Sequence, residues 1–290
     1  MLMEVMVPGS CGQIAQGWRN GQPYLITCPV ALYSRVLVMD GTSVKSGIGR
    51  KSRMALNNTC NYLGLDRFPY GMSLESQIPT GKGMGSSSAD ISAIIAATGA
   101  AIGERLTPEE IGEIAAGIEP TDGVFYPGIA NMNYMTGEVY KTYEYVPKMI
   151  LAMFDTEPDG KVNSVEFHAH FDENRMPHDS SPELLAAIDS LDEKVSSRKL
   201  AEIAIMSARE NQRLMPKDVY EELLSYAQEL GALGVCVAHA GTMVGVMWHP
   251  ATSMKEVTKA VAKISERFPK LAHLDTQRMV SGGCSIHKQN

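Results

Sequence analysis

The segment from Ile78 to Asp90, IPTGKGMGSSSAD, constrains the fold of this chain more than any other. Glycines alternate at positions 81, 83 and 85, and three serines follow them directly. Glycine backbone can approach an anion closely and adopt positive φ, and the first turn of a helix offers free N–H groups to phosphate. A strand pattern over 70–78 precedes the segment, and a helix pattern with almost no charge over 86–102 begins within it. We therefore predict a phosphate-binding loop between a strand and a helix.

Two better-known phosphate loops do not fit this segment. In the P-loop the lysine is followed by Ser or Thr, whereas Lys82 is followed by Gly83. The glycine loop of protein kinases requires HRD and DFG motifs, which the sequence lacks. In a phosphate loop of another kind, Lys82 would add a positive charge and a serine hydroxyl would ligate the magnesium that accompanies ATP. A flexible Gly/Ser loop is the alternative interpretation.

The composition narrows the class of protein. A chain of 290 residues can form one large domain or two of ordinary size. Its net charge of −7 argues against nucleic acid as a partner. The five cysteines form no CxxC pair, which favours reduced thiols over a zinc site or disulfides. No apolar run approaches 18 residues, so we expect a soluble, cytoplasmic protein with no membrane partner.

Hydrophobic periodicity predicts strands early in the chain and helices later. The predicted strands cover residues 3–7 (ended by Pro8-Gly9), 28–40, 70–78, 148–154, 234–239 and 242–248, with a hairpin over 132–145 and a last strand or loop over 276–285. The predicted helices cover residues 53–65, 86–102, 108–117, 182–195, 198–214, 218–230 and 251–268. We place a domain boundary between residues 146 and 147. The basic segment GIGRKSR (47–53) could touch nucleotide phosphate, but a solvated turn is the preferred interpretation.

Two further segments carry residues with possible chemistry. In the loop IEPTDGVFYPGIA (118–130), Glu119 or Asp122 could take a proton from an alcohol or ligate magnesium, although the pattern alone favours an ordinary turn. His168, His170 and His178 lie among acidic residues. Their HxH spacing could bind a metal, but with no third ligand clearly placed we prefer a solvated loop.

Three segments together resemble the motifs of the GHMP kinases, the galactose, homoserine, mevalonate and phosphomevalonate kinases. Residues 79–89, PTGKGMGSSSA, resemble the second motif, PxGxGLGSS(A). Residues 8–13, PGSCGQ, followed by Gly17, resemble the first motif, and residues 234–245 are similar to a degenerate third motif. Within the superfamily, PGSCGQxxQG and EPTDGVFYPG are most similar to the L-threonine kinases of cobalamin side-chain synthesis.

The resemblance implies a fold, a reaction and its partners. The fold is α+β in two domains: a ribosomal-protein-like domain with a left-handed βαβ unit (1–146) and a ferredoxin-like domain (147–290), with ATP and substrate in the cleft between them. The implied reaction is ATP- and Mg²⁺-dependent phosphorylation of L-threonine to O-phospho-L-threonine. The alternatives are a kinase of homoserine or another small alcohol, and a regulator that binds ATP without chemistry. The oligomeric state is open, with a homodimer as one alternative.

The resemblance also assigns site residues. It implies ATP binding by Pro79, Gly81, Lys82, Gly83, Met84, Gly85, Ser86, Ser87 and Ser88. Ser87 (or Ser86) and Glu119 would hold Mg²⁺, with Glu113 as an alternative carboxylate. Asp122 and Ser87 would be catalytic, and Gln13, Gln16, Asp122 and Arg19 are candidates for substrate binding. Because the family leaves the position of Lys82 variable, we expect more from the backbone amides and serines. Mevalonate kinases carry a lysine where this chain has Ser10, which leaves the strength of Asp122 as a base open.

Overall fold

The architecture is taken from a computed structural model that describes residues 2–42, 44–160 and 178–289. Its strands are β1 (Leu2–Arg19), β2 (Gln22–Met39), β3 (Lys45–Ser46), β4 (Gly71–Ser76), β5 (Ile129–Met132), β6 (Val139–Tyr143), β7 (Ile150–Asp155), β8 (Gly234–Val237), β9 (Met243–Trp248), β10 (Ala272–Arg278) and β11 (Ser285–Gln289). Its helices are α1 (Arg50–Tyr62), α2 (Ser86–Ala101), α3 (Pro108–Ala116), α4 (Pro182–Asp189), α5 (Ser197–Asn211), α6 (Tyr220–Glu229) and α7 (Met254–Arg267). This mixture confirms the predicted α+β class.

The long strand β1 connects the two halves of the chain. It pairs with β2 along its length, with β11 at its start, and with Val237 of β8 through Gln13. Register shifts after Pro8, Ser10 and Gln13 mark bulges that let one strand change partners. The predicted end of the first strand at Pro8-Gly9 is therefore wrong, since a bulge accommodates both residues inside β1.

The connectivity of each half agrees with the resemblance, while the left-handed crossover of the first half stays a prediction. In the first half, β3 and β4 are parallel neighbours joined by α1, which makes a βαβ unit. In the second half, four antiparallel strands lie in the order β10-β7-β9-β8, with helices after the first and third strands in chain order. This is the ferredoxin-like βαββαβ arrangement. The division at residue 146 stays a prediction, because the strands of both halves belong to one sheet.

Helix α2 lies in the centre of the first half, where it packs against α1, β1 and β2. Its Ala- and Ile-rich sequence buries residues on all sides, as expected for a helix with a single charged residue. Helix α3 has the predicted start, with Thr107 and Glu110 in a capping box and Pro108 at the first helical position. Helix α2 begins directly after the glycines of the segment 78–90, and α3 ends just before residues 118–130, called the acidic loop below. The two helices thus position both segments.

Several predicted elements differ from the structure. Helix α1 begins at Arg50, so the second half of the basic segment 47–53 is the first helical turn. For the segment predicted as a last strand or loop over 276–285, the structure places residues 276–278 at the end of β10 and starts a separate strand, β11, at Ser285, with a loop between them. Of the three histidines, His178 is exposed, whereas His168 and His170 lie outside the described residues. Within the ranges that the structure describes, no helix combines the length and apolarity needed to cross a bilayer.

A cluster of buried sulfur atoms marks the contact between the halves. The sulfur atoms of Cys11 on β1 and Cys236 on β8 are 3.7 Å apart, and Met243 lies against Cys11. Gly245 on β9 faces this cluster: a Cβ atom there would lie 2.2 Å from the sulfur of Cys11. Glycine is therefore required at position 245 by space rather than by backbone conformation.

We predict that Gly245→Ala lowers the free energy of unfolding by about 1–3 kcal/mol, because the new methyl group overlaps Cys11 in a closely packed interior. Adding Cys11→Ala should recover part of this loss, because it removes the closer of two overlapping sulfur atoms and leaves that of Cys236, 2.8 Å from the added Cβ atom. Urea unfolding of the two single variants and the double variant measures the coupling. Combining Gly245→Ala with Cys60→Ala, a buried cysteine on α1, gives the control, and those two losses should add. If the losses in free energy of unfolding add in the Cys11 pair as they do in the Cys60 pair, the proposed overlap with Cys11 is contradicted.

Candidate active site

The three glycine-rich segments of the sequence meet at one place. The N–H of Ser10 on β1 donates to the carbonyl of Met84 (2.8 Å), and the N–H of Met243 on β9 donates to the carbonyl of Lys82 (3.1 Å). The loop of residues 79–86, called the glycine loop below, is thus bonded to both halves of the chain.

Close backbone packing fixes the glycine loop against the turn after β8. A Cβ atom on Gly241 would lie 2.5 Å from the Cα of Gly83, and one on Gly83 would lie 2.4 Å from the Cβ of Ala238. Only glycine fits at either position without moving backbone. The first, second and third motifs are therefore parts of one structure.

The glycine loop has the backbone that phosphate binding requires. Gly81, Gly83 and Gly85 have φ of +73°, +79° and +68°, which confirms the expectation of positive φ. Gly85 is the N-cap of α2, and no side chain caps the helix there. The N–H groups of the first helical turn thus lack a capping side chain and can bind an anion. Alternating left-handed glycines also occur in the backbone nests that bind anions.

A cleft of about 650 Å³ opens along this loop. Its volume is in the range of cofactor and small-molecule sites. Its lining includes most of the residues that the sequence analysis selected: Gln13, Gln16, Gly81, Gly83, Met84, Gly85, Ser86, Ser87, Ser88, Glu119 and Asp122. Pro79 and Lys82 do not line it. The buried side chain of Met84 belongs to the core, so this residue offers only its backbone to the cleft.

Glu119 is a buried carboxylate bonded to the first turn of α2. The hydroxyl of Ser87 donates to one of its oxygens and the ammonium of Lys51 pairs with the other. A carboxylate and a hydroxyl are hard oxygen ligands of the kind that Mg²⁺ accepts. Glu113, the alternative ligand, is exposed on α3 and does not line the cleft, so this alternative is wrong.

The protein supplies few ligands for a metal at this position. Among the residues that the structure describes, no group of three or more His, Cys, Asp or Glu side chains could hold a metal ion. A Mg²⁺ ion beside Ser87 and Glu119 would therefore take its other ligands from water and phosphate, as is usual for Mg²⁺ at nucleotide sites.

Asp122 follows Glu119 by three residues and is held by several hydrogen bonds. Its carboxylate accepts hydrogen bonds from the amide of Gln13 (2.8 Å) and the hydroxyl of Ser88 (3.3 Å), and its N–H donates to Ser88 (3.0 Å). Burial raises the pKa of Asp122 to about 6; the bond from Gln13 opposes this rise and the charge of Glu119 adds to it. At neutral pH the group is ionised and still basic enough to accept a proton.

The side chain of Lys82 points away from the cleft. Its ammonium pairs with the buried Asp155 (2.5 Å) and donates to the carbonyls of residues 157, 158 and 160 at 2.6–3.1 Å. With its donors occupied there, Lys82 cannot supply the point charge at a phosphate that its sequence position suggested. The side chain of Lys82 therefore does not provide the ATP contact that the sequence predicted. It instead anchors the glycine loop on the side away from the cleft.

Other selected side chains also have structural partners. Both ends of the Gln13 amide are engaged, one by Asp122 and the other by His239, which leaves little for a substrate. The guanidinium of Arg19 binds Asp189 (2.9 Å) outside the cleft, so its proposed contact with substrate is wrong. Ser10 is buried and donates to the carbonyl of Gly12 (2.5 Å).

Three cleft residues and a histidine behind the cleft were not predicted from the sequence. Arg50 and Lys51, in the basic segment interpreted as a solvated turn, line the cleft at the start of α1. Asp90 also lines it and accepts a hydrogen bond from Ser34 (2.6 Å). The grouping of basic residues in GIGRKSR could have indicated that Arg50 and Lys51 contact phosphate. No sequence pattern indicated a role for Asp90 or His239.

We predict that Lys82→Met destabilises the protein by about 3–5 kcal/mol, because it leaves the buried Asp155 without a counter-ion. The double variant Lys82→Met/Asp155→Asn removes both charges and should regain most of that loss. Chemical denaturation measures both effects. If Lys82→Met unfolds like the unaltered protein, the ion pair does not hold the loop.

We predict that Asp122→Asn raises the free energy of unfolding at pH 7–8 by up to about 3 kcal/mol. The folded protein holds the proton of Asp122 more tightly than the unfolded chain does, so ionisation above about pH 6 costs folded-state stability. The gain should shrink as the pH falls through 6 and vanish near pH 4. Thermal unfolding at a series of pH values checks this, and a gain that does not vary with pH would rule out the titration of Asp122 as its cause.

Comparisons with known proteins agree with this geometry. Residues 50–131 match the family described as "GHMP kinases N terminal domain". The L-threonine kinase of Citrobacter freundii is 28% identical over 96% of this chain and 98% of its own length. The L-threonine kinase of Salmonella typhimurium strain LT2 is 29% identical over 96% of this chain and 94% of its own length.

A solved structure extends the similarity to the whole fold. The mevalonate kinase of Methanococcus jannaschii superposes with a TM-score of 0.67, at 14% identity, over 97% of this chain and 98% of its own. The resemblance stated from the three motifs is thereby confirmed: the chain has the fold of a mevalonate kinase, and its residues 50–131 match the N-terminal domain of the GHMP kinases.

Proposed function

We propose that this protein transfers the γ-phosphoryl group of ATP to the hydroxyl group of L-threonine, giving O-phospho-L-threonine. The GHMP kinase N-terminal domain and the L-threonine kinase relatives indicate a phosphotransferase that acts on an alcohol. The observation that carries the mechanism is the position of Asp122. This basic carboxylate lies in the same cleft as the glycine loop and is bonded to Ser88 in the first turn of α2.

The nucleotide would bind along the glycine loop. The uncapped N-terminus of α2 and the left-handed glycines offer backbone N–H groups to the triphosphate. Arg50 and Lys51 add positive charge to the cleft, which the side chain of Lys82 does not. Phosphoryl transfer needs mainly positioning and neutralisation of charge, so these fixed groups would contribute much of the rate.

The residues around Glu119 fit a magnesium ion. This carboxylate is buried, yet it already has a cation, Lys51, beside it and the hydroxyl of Ser87 as a second ligand. A Mg²⁺ ion bound there would neutralise the phosphate oxygens. We infer that Lys51 would then be released from Glu119 and become free to contact phosphate.

Asp122 would orient the acceptor hydroxyl and take its proton. In this step the O–H bond of the alcohol breaks while its oxygen bonds to phosphorus, the bond to the ADP oxygen breaks, and the proton passes to the carboxylate. A lysine at the position of Ser10 would lower the pKa of Asp122. With the uncharged Ser10 there, the carboxylate keeps a raised pKa of about 6, which makes it the stronger base.

The choice of threonine rests on the relatives. Gln16, Thr121 and Tyr134 are polar residues that line the same cleft as Asp122. A role in cobalamin synthesis and a cytoplasmic location stay predictions. Homoserine, which differs from threonine in the position of its hydroxyl, is the second candidate substrate within the same reaction class.

We expect ATP turnover with Mg²⁺ to be most efficient on L-threonine among threonine, homoserine, serine and mevalonate, measured by coupled assay of ADP release. Asp122→Asn should lower kcat by about 100-fold or more while ATP binding, followed by calorimetry, stays unchanged. The kcat/KM profile of the unaltered enzyme should fall about tenfold per pH unit below pH 6, where Asp122 becomes protonated.

Matched controls and contrary outcomes complete this experiment. Glu119→Gln should weaken Mg²⁺-dependent turnover, whereas Glu113→Gln, outside the cleft, should not. If the enzyme prefers another alcohol, L-threonine is wrong as the proposed substrate, but the proposed kinase activity stands. ATP binding without turnover on any alcohol would instead favour the non-catalytic regulator.

A further inference from the structure

We propose that His239 and Ser207, in the second half of the chain, are positioning residues that orient the Gln13 amide and through it hold Asp122 in its reactive position. Gln13 thereby becomes a positioning residue rather than a ligand of the substrate. The inference rests on the proposed role of Asp122 and deepens it, because it assigns part of the active-site geometry to residues that do not line the cleft.

The first part of this chain of hydrogen bonds is the Gln13 amide. Its nitrogen donates to Asp122 (2.8 Å), and its oxygen lies 3.0 Å from the backbone nitrogen and 3.2 Å from the ring Nδ1 of His239. Gln13 is buried, so no bulk water competes for these groups. Each end of the amide therefore has protein partners.

The orientation of this amide matters for the charge that it faces. The two ends of a glutamine amide have nearly the same shape, so packing alone distinguishes them poorly. If the amide were reversed, its oxygen would face the carboxylate of Asp122, and both groups accept hydrogen bonds but donate none. The two donors of His239 prevent this by binding the amide oxygen, which directs the amide N–H to Asp122.

The partners of the imidazole assign its tautomer. The Gln13 oxygen can only accept, so Nδ1 of His239 carries the hydrogen and Nε2 is the acceptor. The hydroxyl of Ser207 on α5 lies 2.9 Å from Nε2 and donates to it, while the N–H of Gln16 donates to the same hydroxyl oxygen (3.1 Å). Every donor in this series thus has an acceptor.

The charged groups around the series keep the ring neutral. Burial, together with the charge of Lys217, which donates to the carbonyl of Ala238 (3.0 Å), lowers the pKa of His239 to about 3, although hydrogen bonds to the backbone of Val237 and Ser207 oppose this shift. Glu119 faces Asp122 from the acidic loop and opposes its ionisation. Since the ring does not titrate at working pH, His239 acts here as a fixed donor and acceptor and takes no proton from the reaction.

Two variants of His239 test the proposal: one removes the imidazole, and the other restores an N–H donor in its place. In His239→Leu the ring is lost but the backbone N–H of residue 239 still binds Gln13, so we expect kcat to fall about tenfold with little change in KM for ATP. In His239→Asn the side-chain amide can place an N–H where Nδ1 was, and kcat should recover in large part. Gln13→Met removes both contacts and should give the larger loss.

A second measurement does not depend on turnover. The pKa of Asp122 can be followed by ¹³C NMR of its carboxyl group in the ligand-free protein, with Asp122→Asn to assign the signal. Because a donated hydrogen bond favours the ionised form, His239→Leu and Gln13→Met should shift this pKa upward, and His239→Asn should shift it less. The acid limb of the kcat/KM profile should move in the same direction.

The outcomes separate this proposal from the proposed function. If the unaltered protein turns over no alcohol, the kinase proposal fails, but the NMR titration still decides whether His239 acts on Asp122. An unchanged pKa and kcat in a folded His239→Leu variant would overturn the positioning role. If His239→Asn unfolds at the same denaturant concentration as the unaltered protein and yet recovers neither quantity, the histidine contributes packing only, and the proposal is likewise overturned.

Discussion

The backbone contact between Gly83 and Gly241 is the constraint on which the rest of the site depends. It brings the glycine loop of the first half against the turn after β8 in the second, closer than any side chain would allow. The hydrogen bonds from the N–H groups of Ser10 and Met243 to the loop carbonyls then fix the position of the loop. The loop is therefore preorganised before any ligand arrives, and preorganised dipoles are what stabilise a transferring phosphoryl group without a cost of rearrangement at the moment of reaction.

Charge is distributed around this loop in two separate pairs with different consequences. Lys82 and Asp155 are both buried behind the loop, where their pairing holds the backbone and contributes nothing to the cleft. Lys51 and Glu119 lie in the cleft itself, and Lys51 remains partly exposed. Within the described ranges no cation is bonded to Asp122, and burial is the largest cause of its raised pKa. One cleft thus presents a carboxylate paired with a lysine and, three residues later, a carboxylate with a raised pKa.

The sequence predicted what depends on local pattern and motif, and missed what depends on distant packing. The strand-loop-helix around the glycine loop, the capped start of α3 and the ferredoxin-like second half follow from periodicity, capping residues and the resemblance. The bulges that carry β1 through Pro8-Gly9 could not be predicted, because they arise from partners far along the chain. The same holds for the side chain of Lys82: its glycine-rich neighbourhood suggested phosphate, but a carboxylate 73 residues away along the chain binds it. The joining of Gln13 to His239 is likewise visible only in three dimensions.

The cluster of buried sulfur atoms between the two halves determines when its thiols can be oxidised. Cys11, Cys28 and Cys236 are fully buried where β1 meets the second half, so oxidants in solution cannot reach them while the halves stay together. Thiol oxidation needs access, which a transient opening of the contact between the two halves would provide. Oxidative damage would therefore fall on molecules whose active site is already disassembled, and damage to these thiols would accumulate in proportion to how often the protein opens.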